Sequence, residues 1–188
     1  MSSLTTKKAI AYTLKEVLLD KPLSKVTISD ITKRCDINRQ TFYYHFQDIY
    51  ALVEWICVED ANKALAEKRD YDTWQEGFLS IFEVIKKDKA FVENVYHSIS
   101  HEMLNKNLYR LVFPIIYRVV KEKTNVIEIK EEDRVFITDF YKYSFVAIVL
   151  KWIEDGMVDD PKKIVNRVSS VVTGTIEQAI KAFNSNRK

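Results

Sequence analysis

Thr27 to Leu52 reads TISDITKRCDINRQTFYYHFQDIYAL. Thr27 stands just before an apolar-periodic run. Its hydroxyl can accept a bond from a free N–H of the first helical turn, and Asp30, three places on, suits the positive helix end. That helix stops at Cys35–Asp36–Ile37, where Asp36 tolerates the left-handed backbone a tight turn needs. Asn38 caps a second short helix, RQTFYYHF. Residues 27–46 therefore read as helix, short turn, helix. Ile31, Ile37 and Phe42 would press the pair against an earlier helix carrying Ile10, Leu14, Val17 and Leu18, which ends at Pro22.

The second short helix has the chemistry of a groove reader. In a helix-turn-helix the second helix enters the major groove with its N-terminal residues at the base edges. Arg39 can bond guanine bidentately and Gln40 adenine. The hydroxyls of Thr27, Ser29, Thr41, Tyr43 and Tyr44 suit phosphate oxygens, as does His45. Arg39 and Gln40 would serve equally as solvated helix residues, and His45 as a satisfied structural histidine. Charge leans the same way only slightly. The net charge is +2, but residues 1–50 hold eight Lys/Arg against five acids.

Outward from this segment the periodicity stays helical. A helix over 48–68 has Ile49, Leu52, Val53 and Ile56 on its spine, and the polar EKRDYD stretch follows. Trp74, Phe78, Ile81, Phe82 and Ile85 mark the next amphipathic helix, and shorter and longer ones cover 88–100 and about 102–123. Pro114 should bend or break the latter. After TNVIEIKEED come helices over about 131–155, ending at Gly156, and from Asp160–Pro161 to Phe183. The expected fold is all-α: nine helices, three at the N-terminus forming the helix-turn-helix unit and six in a C-terminal bundle.

Composition agrees. The 188 residues are 47% hydrophobic and 30% charged, with 3 Gly and 3 Pro, too few for all-β folds or glycine-rich phosphate cradles. The longest apolar run, FVAIVL, has six residues, against the ~20 a membrane span needs. No apolar signal core opens the chain. A cytoplasmic protein with reduced Cys35 and Cys57 is expected, without a membrane partner. No nucleophile elbow or Asp–His–Ser order appears, so no enzyme, catalytic residue or cofactor is expected. Glu93, His97 and His101 share a helical spacing that metals use, but three such residues on one helix are a common accident, and no metal is assigned.

The segment resembles the DNA-binding domain of TetR-family transcriptional regulators. That family's pattern falls on Thr27, Ile31, Thr41, Tyr43, His45, Phe46 and Leu52, without gaps. Ile49 stands where the family usually has Lys, and Cys35–Asp36 where its turn often has Gly. RQTFYYHF with LVEWI, and YSFVAIVLKWIEDGM with DDPKKI, are similar to regulators of the dihydroxyacetone kinase operon type.

The resemblance implies a helix-turn-helix domain over 1–47 and a ligand-sensing and dimerisation domain over 48–188. It implies a homodimer on a palindromic operator, with double-stranded DNA as partner and DNA affinity controlled by an unidentified small molecule or partner. Aromatic residues Trp55, Phe78, Phe82, Tyr96, Tyr109, Phe113, Tyr117, Tyr141 and Phe145, with His97, become candidates for a cavity between helices. Ile148, Trp152, Val168, Val171, Val172, Thr175, Ile176 and Ala179 become candidates for a four-helix interface between copies. The alternative is a helical interaction module that works through a protein co-regulator with degenerate DNA binding, and the missing Lys at Ile49 keeps it open.

Overall fold

The computed structural model describes residues 3–65, 73–124 and 129–185. Among them it has ten α-helices and no strand: α1 (Ser3–Asp20), α2 (Ile28–Arg34), α3 (Arg39–His45), α4 (Ile49–Leu65), α5 (Trp74–Lys87), α6 (Lys89–Ser98), α7 (His101–Thr124), α8 (Glu131–Glu154), α9 (Pro161–Val172) and α10 (Thr175–Ser185). A single 3-10 turn, Leu23–Lys25, follows α1. The end expected for α4 at Lys68, the EKRDYD stretch and the middle of TNVIEIKEED lie outside the described residues.

The local signals around the turn work as their chemistry requires. The Thr27 hydroxyl accepts from the Asp30 N–H at 3.2 Å, while the Thr27 N–H donates to the Asp30 carboxylate at 2.8 Å, a reciprocal capping box. Asn38 accepts from the Thr41 N–H at 2.7 Å and so caps α3. Asp36 takes φ 52°, the left-handed step that reverses the chain between α2 and α3.

Apolar side chains gather into two cores. The first joins Ile10 and Leu14 of α1 to Ile31, Phe42 and Leu52, all fully buried, and α6 contributes Phe91 and Val95 to it. The second, larger core runs through α5 and α7 to α10. Its aromatic centre is Phe78, Phe82, Phe145 and Trp152, with ring centroids 4.6–4.9 Å apart from Phe145 to Phe78, Phe78 to Phe82, and Phe82 to Trp152. Each such ring, once buried, contributes about 1.5–3 kcal/mol.

Two helix breakers act differently along the chain. Pro114 does not break α7. Its side chain is exposed, and the missing N–H leaves one carbonyl a turn earlier without its helical partner. The last expected helix is interrupted at Thr173–Gly174, where Gly174 adopts φ 79°, and it becomes α9 and α10. α8 does end at Gly156 as expected. The Met157 N–H donates to the Trp152 carbonyl and the Gly156 N–H to the Ile153 carbonyl, a Schellman arrangement with Met157 buried over it. Among the described residues no helix is long and apolar enough to cross a membrane.

Candidate nucleic-acid interface and effector cleft

Short α3 lies on the surface with one buried anchor. Phe42 is fully buried beneath it, while Arg39, Gln40, Tyr43 and Tyr44 are exposed, Tyr44 by 81%. Thr41 and His45 are half-buried. α2 presents Ser29 to α3: Arg39 Nη2 donates to Ser29 Oγ, which aims the guanidinium along the seam between the two helices. The structure thus brings half-buried Ser29 beside the exposed Arg39 of α3. Thr27 is also exposed, but its hydroxyl donates to Asp30 at 2.8 Å, and that of Thr41 donates to Asn38 at 2.9 Å. Both are engaged in capping and would have to rotate to donate elsewhere. Hydrogen bonds from Lys21 and Thr27 hold the Asp30 carboxyl down to about 2.

Ile49 is half-buried and packs on the first core, so this position turns inward rather than toward solvent. Sequence reading passed over Lys33, which is exposed on α2 four residues after Ser29 and hence on the same helix face. The signal was available in the i, i+4 spacing.

The second candidate site is a cleft between α4 and α7 with two adjoining lobes. The inner lobe, about 230 Å³, is walled by apolar side chains of α5, α6, α7 and α8, with Asp60 and Asp88 at one end. The outer lobe, about 430 Å³, opens between Tyr50, Glu54 and Asn62 of α4 and Asn107, Arg110 and Arg118 of α7. Cys57, Ala61, Leu65, Leu108 and Leu111 belong to both lobes. Arg110 and Glu54 form an ion pair across this outer opening. Burial, with the charge of Asp60 adding to it, pushes the Cys57 thiol up to about 11, so it stays protonated.

Of the aromatic residues expected around a cavity, Phe78, Tyr96, Tyr141 and Phe145 do line the inner lobe. The others have different work. Trp55 packs on Phe46 at 5.8 Å in the first core, and Phe82 is sealed against Trp152. Tyr117 donates to Glu131 at 2.7 Å. Tyr109 and Phe113 surround the buried Lys142, whose ammonium also sits 4.3 Å from the Tyr143 ring and 2.5 Å from Asp139. His97 is exposed on α6 with Glu93, whereas His101 begins α7, so the three do not share one helix. Among the described residues no group of three or more His, Cys, Asp or Glu side chains is placed to hold a metal ion. The leucines and valines of α7 that line the cleft, such as Leu104, Leu108, Leu111 and Val112, were missed, because an apolar stripe reads the same whether it meets a neighbour or a void.

The residues expected between copies divide likewise. Trp152, Val168, Val172 and Ile176 are buried inside the chain's own second core, the Trp152 indole N–H donating to the Asp159 carbonyl at 2.9 Å. Ile148, Thr175 and Ala179 are half-buried; Thr175 shares a 2.7 Å hydrogen bond with Tyr141. Val171 is 72% exposed. A further open apolar face lies on α8: Phe136, Phe140, Tyr143 and Ala147 are exposed at i, i+4, i+7 and i+11.

An exposed polar helix held at its base by one aromatic residue, capped by Asn38 and set on a second short helix, defines a helix-turn-helix DNA-binding protein. A family model described as bacterial regulatory proteins, tetR family, matches residues 13–56, and one described as transcriptional regulator C-terminal region matches residues 72–174. The chain belongs to the TetR family of transcriptional regulators. It is 29% identical over 94 residues to the HTH-type dhaKLM operon transcriptional activator DhaS of Lactococcus lactis subsp. lactis (strain IL1403), a match that spans 50% of this chain and about half the length of that relative, 50%. Among solved structures, the dihydroxyacetone kinase operon activator DhaS has a TM-score of 0.70 at 21% identity, covering 96% of this chain and 98% of that one. The repressor AlkX from Dietzia sp. strain DQ12-45-1b, implicated in biodegradation of n-alkanes, gives 0.57 at 14%, covering 93% and 96%. NalD, the secondary repressor of the MexAB-OprM multidrug efflux pump in Pseudomonas aeruginosa, gives 0.57 at 13%, covering 95% and 97%. These structural likenesses establish a shared fold.

Proposed function

We propose that this regulator acts in the cytoplasm as a homodimer on a palindromic operator, with residues 1–47 reading DNA and 48–188 sensing an effector and pairing the copies. The exposed start of α3 carries this reading: Arg39 and Gln40 meet base edges, and Ser29, Thr41, Tyr43, Tyr44 and His45 with Lys33 meet the backbone. The N-terminal turn of α3 adds free N–H groups toward the phosphates. Thr27 acts by capping α2, so its contact with DNA is secondary.

Pairing runs through the apolar face of α8. Four exposed side chains span eleven residues, about 16 Å at 1.5 Å per residue, long enough to pack along the same helix of a second copy about a two-fold axis. That symmetry offers two reading heads to two half-sites of a palindrome. Val171 extends the interface from α9, and Trp152, Val168, Val172 and Ile176 support it from beneath.

The effector is a small molecule held in the cleft between α4 and α7. Phe78, Tyr96, Tyr141 and Phe145 form part of its wall. α4 begins in the first core at Leu52 and lines the cleft at Cys57, Asp60 and Ala61, so one rigid rod carries displacement from cleft to head. An effector alters DNA affinity only by binding one arrangement of the heads better than the other. The names of the DhaS relatives point to a dihydroxyacetone kinase operon as the kind of target. A small polyol, however, finds few polar partners in the inner lobe, and the outer lobe is the better place for one.

Selection of bound fragments from random duplexes, followed by sedimentation of the complex, tests this. Two chains on one palindromic duplex are expected, with affinity falling steeply as salt rises. Phe140→Glu, which puts a charge on the α8 face, should yield monomers that bind the duplex at least tenfold more weakly. A folded dimer that selects no duplex at all would replace this reading with the interaction module.

A further inference from the structure

The charged end of the inner lobe already holds an alkylammonium: the chain's own. Lys15 reaches from α1, and its ammonium lies 2.8 Å from Asp60 on α4 and 2.5 Å from Asp88 at the junction of α5 and α6. It also stands 5.2 Å from the centroid of the Phe91 ring. Asp60, Asp88 and Phe91 all line the cavity. Two carboxylates and an aromatic face around one amine are the parts of a cation site. Burial disfavours the charge on Lys15, but hydrogen bonds to Asp60 and Asp88 outweigh it and raise its pKa above the ordinary 10.5, so the occupant is charged.

The balance of this end is acidic. Two carboxylates face one ammonium, and the further cation, Lys63 at 3.6 Å from Asp60, is mostly exposed and screened. Two further polar groups of the lobe bring no charge of their own. Cys57 is protonated, and the hydroxyl of Tyr141 is paired with Thr175. Apart from Tyr96 and Trp74 the rest of the wall is hydrocarbon, and the 230 Å³ volume is smaller than the ~300–1,000 Å³ of drug-sized sites.

We propose that the inner lobe accepts a small apolar monocation, an alkyl- or arylalkylammonium, whose charged head takes the place of Lys15 between Asp60 and Asp88 and so frees α1 from the effector domain. The inference rests on the cleft being the effector site. The incoming ammonium meets two carboxylates that one lysine only partly neutralises, which favours it over a neutral head, and its apolar body buries surface that Lys15 leaves open. The released Lys15 belongs to the helix that backs the reading head, which gives the occupant a direct mechanical consequence. An anion would meet two carboxylates, and a neutral molecule would leave Lys15 in place.

Calorimetric titration of the full chain with n-hexylammonium, 1-hexanol and hexanoate compares three charges on one chain length. Hexylammonium should bind at least tenfold more tightly than hexanol, and hexanoate more weakly than either. Asp88→Asn, or Asp60→Asn should the first variant not fold, should abolish the preference while leaving hexanol unchanged. Lys15→Met, which removes the competitor, should tighten hexylammonium. Equal affinity for hexylammonium and hexanol, or a preference that survives both Asp variants, overturns the cation proposal while leaving the cleft as effector site. Failure of all three molecules to bind overturns both.

Discussion

Replacing Arg39 by Ala separates recognition from folding. The side chain is exposed and its hydrogen bond goes to Ser29, itself at the surface of α2, so removal should change stability by less than about 0.5 kcal/mol. A bidentate Arg–guanine contact is worth about 1–3 kcal/mol of discrimination. In a dimer both heads lose it, which makes about 2–6 kcal/mol, or roughly 30-fold to 10⁴-fold in affinity at about 1.4 kcal/mol per decade. Fluorescence anisotropy with a selected duplex, at one fixed salt concentration, reads the loss directly. The same loss should vanish on a duplex altered at the contacted base pair. Ser29→Ala should cost less, about 1 kcal/mol or under per head, because it removes only the aim of the guanidinium. In the Arg39→Ala background it should cost almost nothing, the mark of two residues acting through one contact. A folded Arg39→Ala protein with unchanged affinity and unchanged base preference would refute the assignment of α3 as the reading helix.

Phe42→Ala should destabilise the head by about 3–5 kcal/mol, since it empties a fully buried aromatic site; urea midpoints measure this. Asp30, held at about 2 against an ordinary 3.8, contributes stability that is complete above pH 3.8 and is lost as pH falls toward 2. The difference in urea midpoint between wild type and Asp30→Asn should therefore close over that window, and a gap independent of pH would contradict the capping account. With its thiol near 11 rather than 9.0, Cys57 carries about 100-fold less thiolate than an ordinary cysteine. In Cys35→Ser protein, alkylation by iodoacetamide at pH 8.5 should be slower in the folded state than in urea by about that factor, and equal rates would count against burial of Cys57.

What could be read from the sequence follows the range of the interactions involved. Thr27, Asp30 and Asn38 act on backbone groups three residues away, so the turn and its two helices were legible from local chemistry. Phe42 was legible too, because a buried aromatic on a short polar helix has one place to go. Trp152, Val168 and Ile176 lie in the chain's own second core, which the sequence did not announce, since an apolar stripe says that a face is covered without saying by what. The uncovered face of α8 shows the same ambiguity from the other side: Phe136 and Phe140 look like core residues in one dimension. Tyr109 and Phe113 were read as cavity walls because nothing local announces that Lys142, thirty residues further on, turns inward and draws their rings around it. Gly174, in the left-handed conformation, interrupts the apolar stripe that reads as one last helix.

Phe91 and Val95 on α6 complete the hydrophobic interior beneath the reading head, and Asn94 between them accepts from the Leu23 N–H at 2.7 Å and donates to the Leu18 carbonyl at 3.0 Å. The first fifty residues are thus missing a wall when taken alone. A chimera that grafts this head onto another regulator would bring bare leucines and an unsatisfied chain reversal unless the recipient supplied the same three side chains at the same spacing. Exchangeable parts in such a protein are bounded by shared interior surface rather than by position along the chain, and the natural seam here passes behind α6.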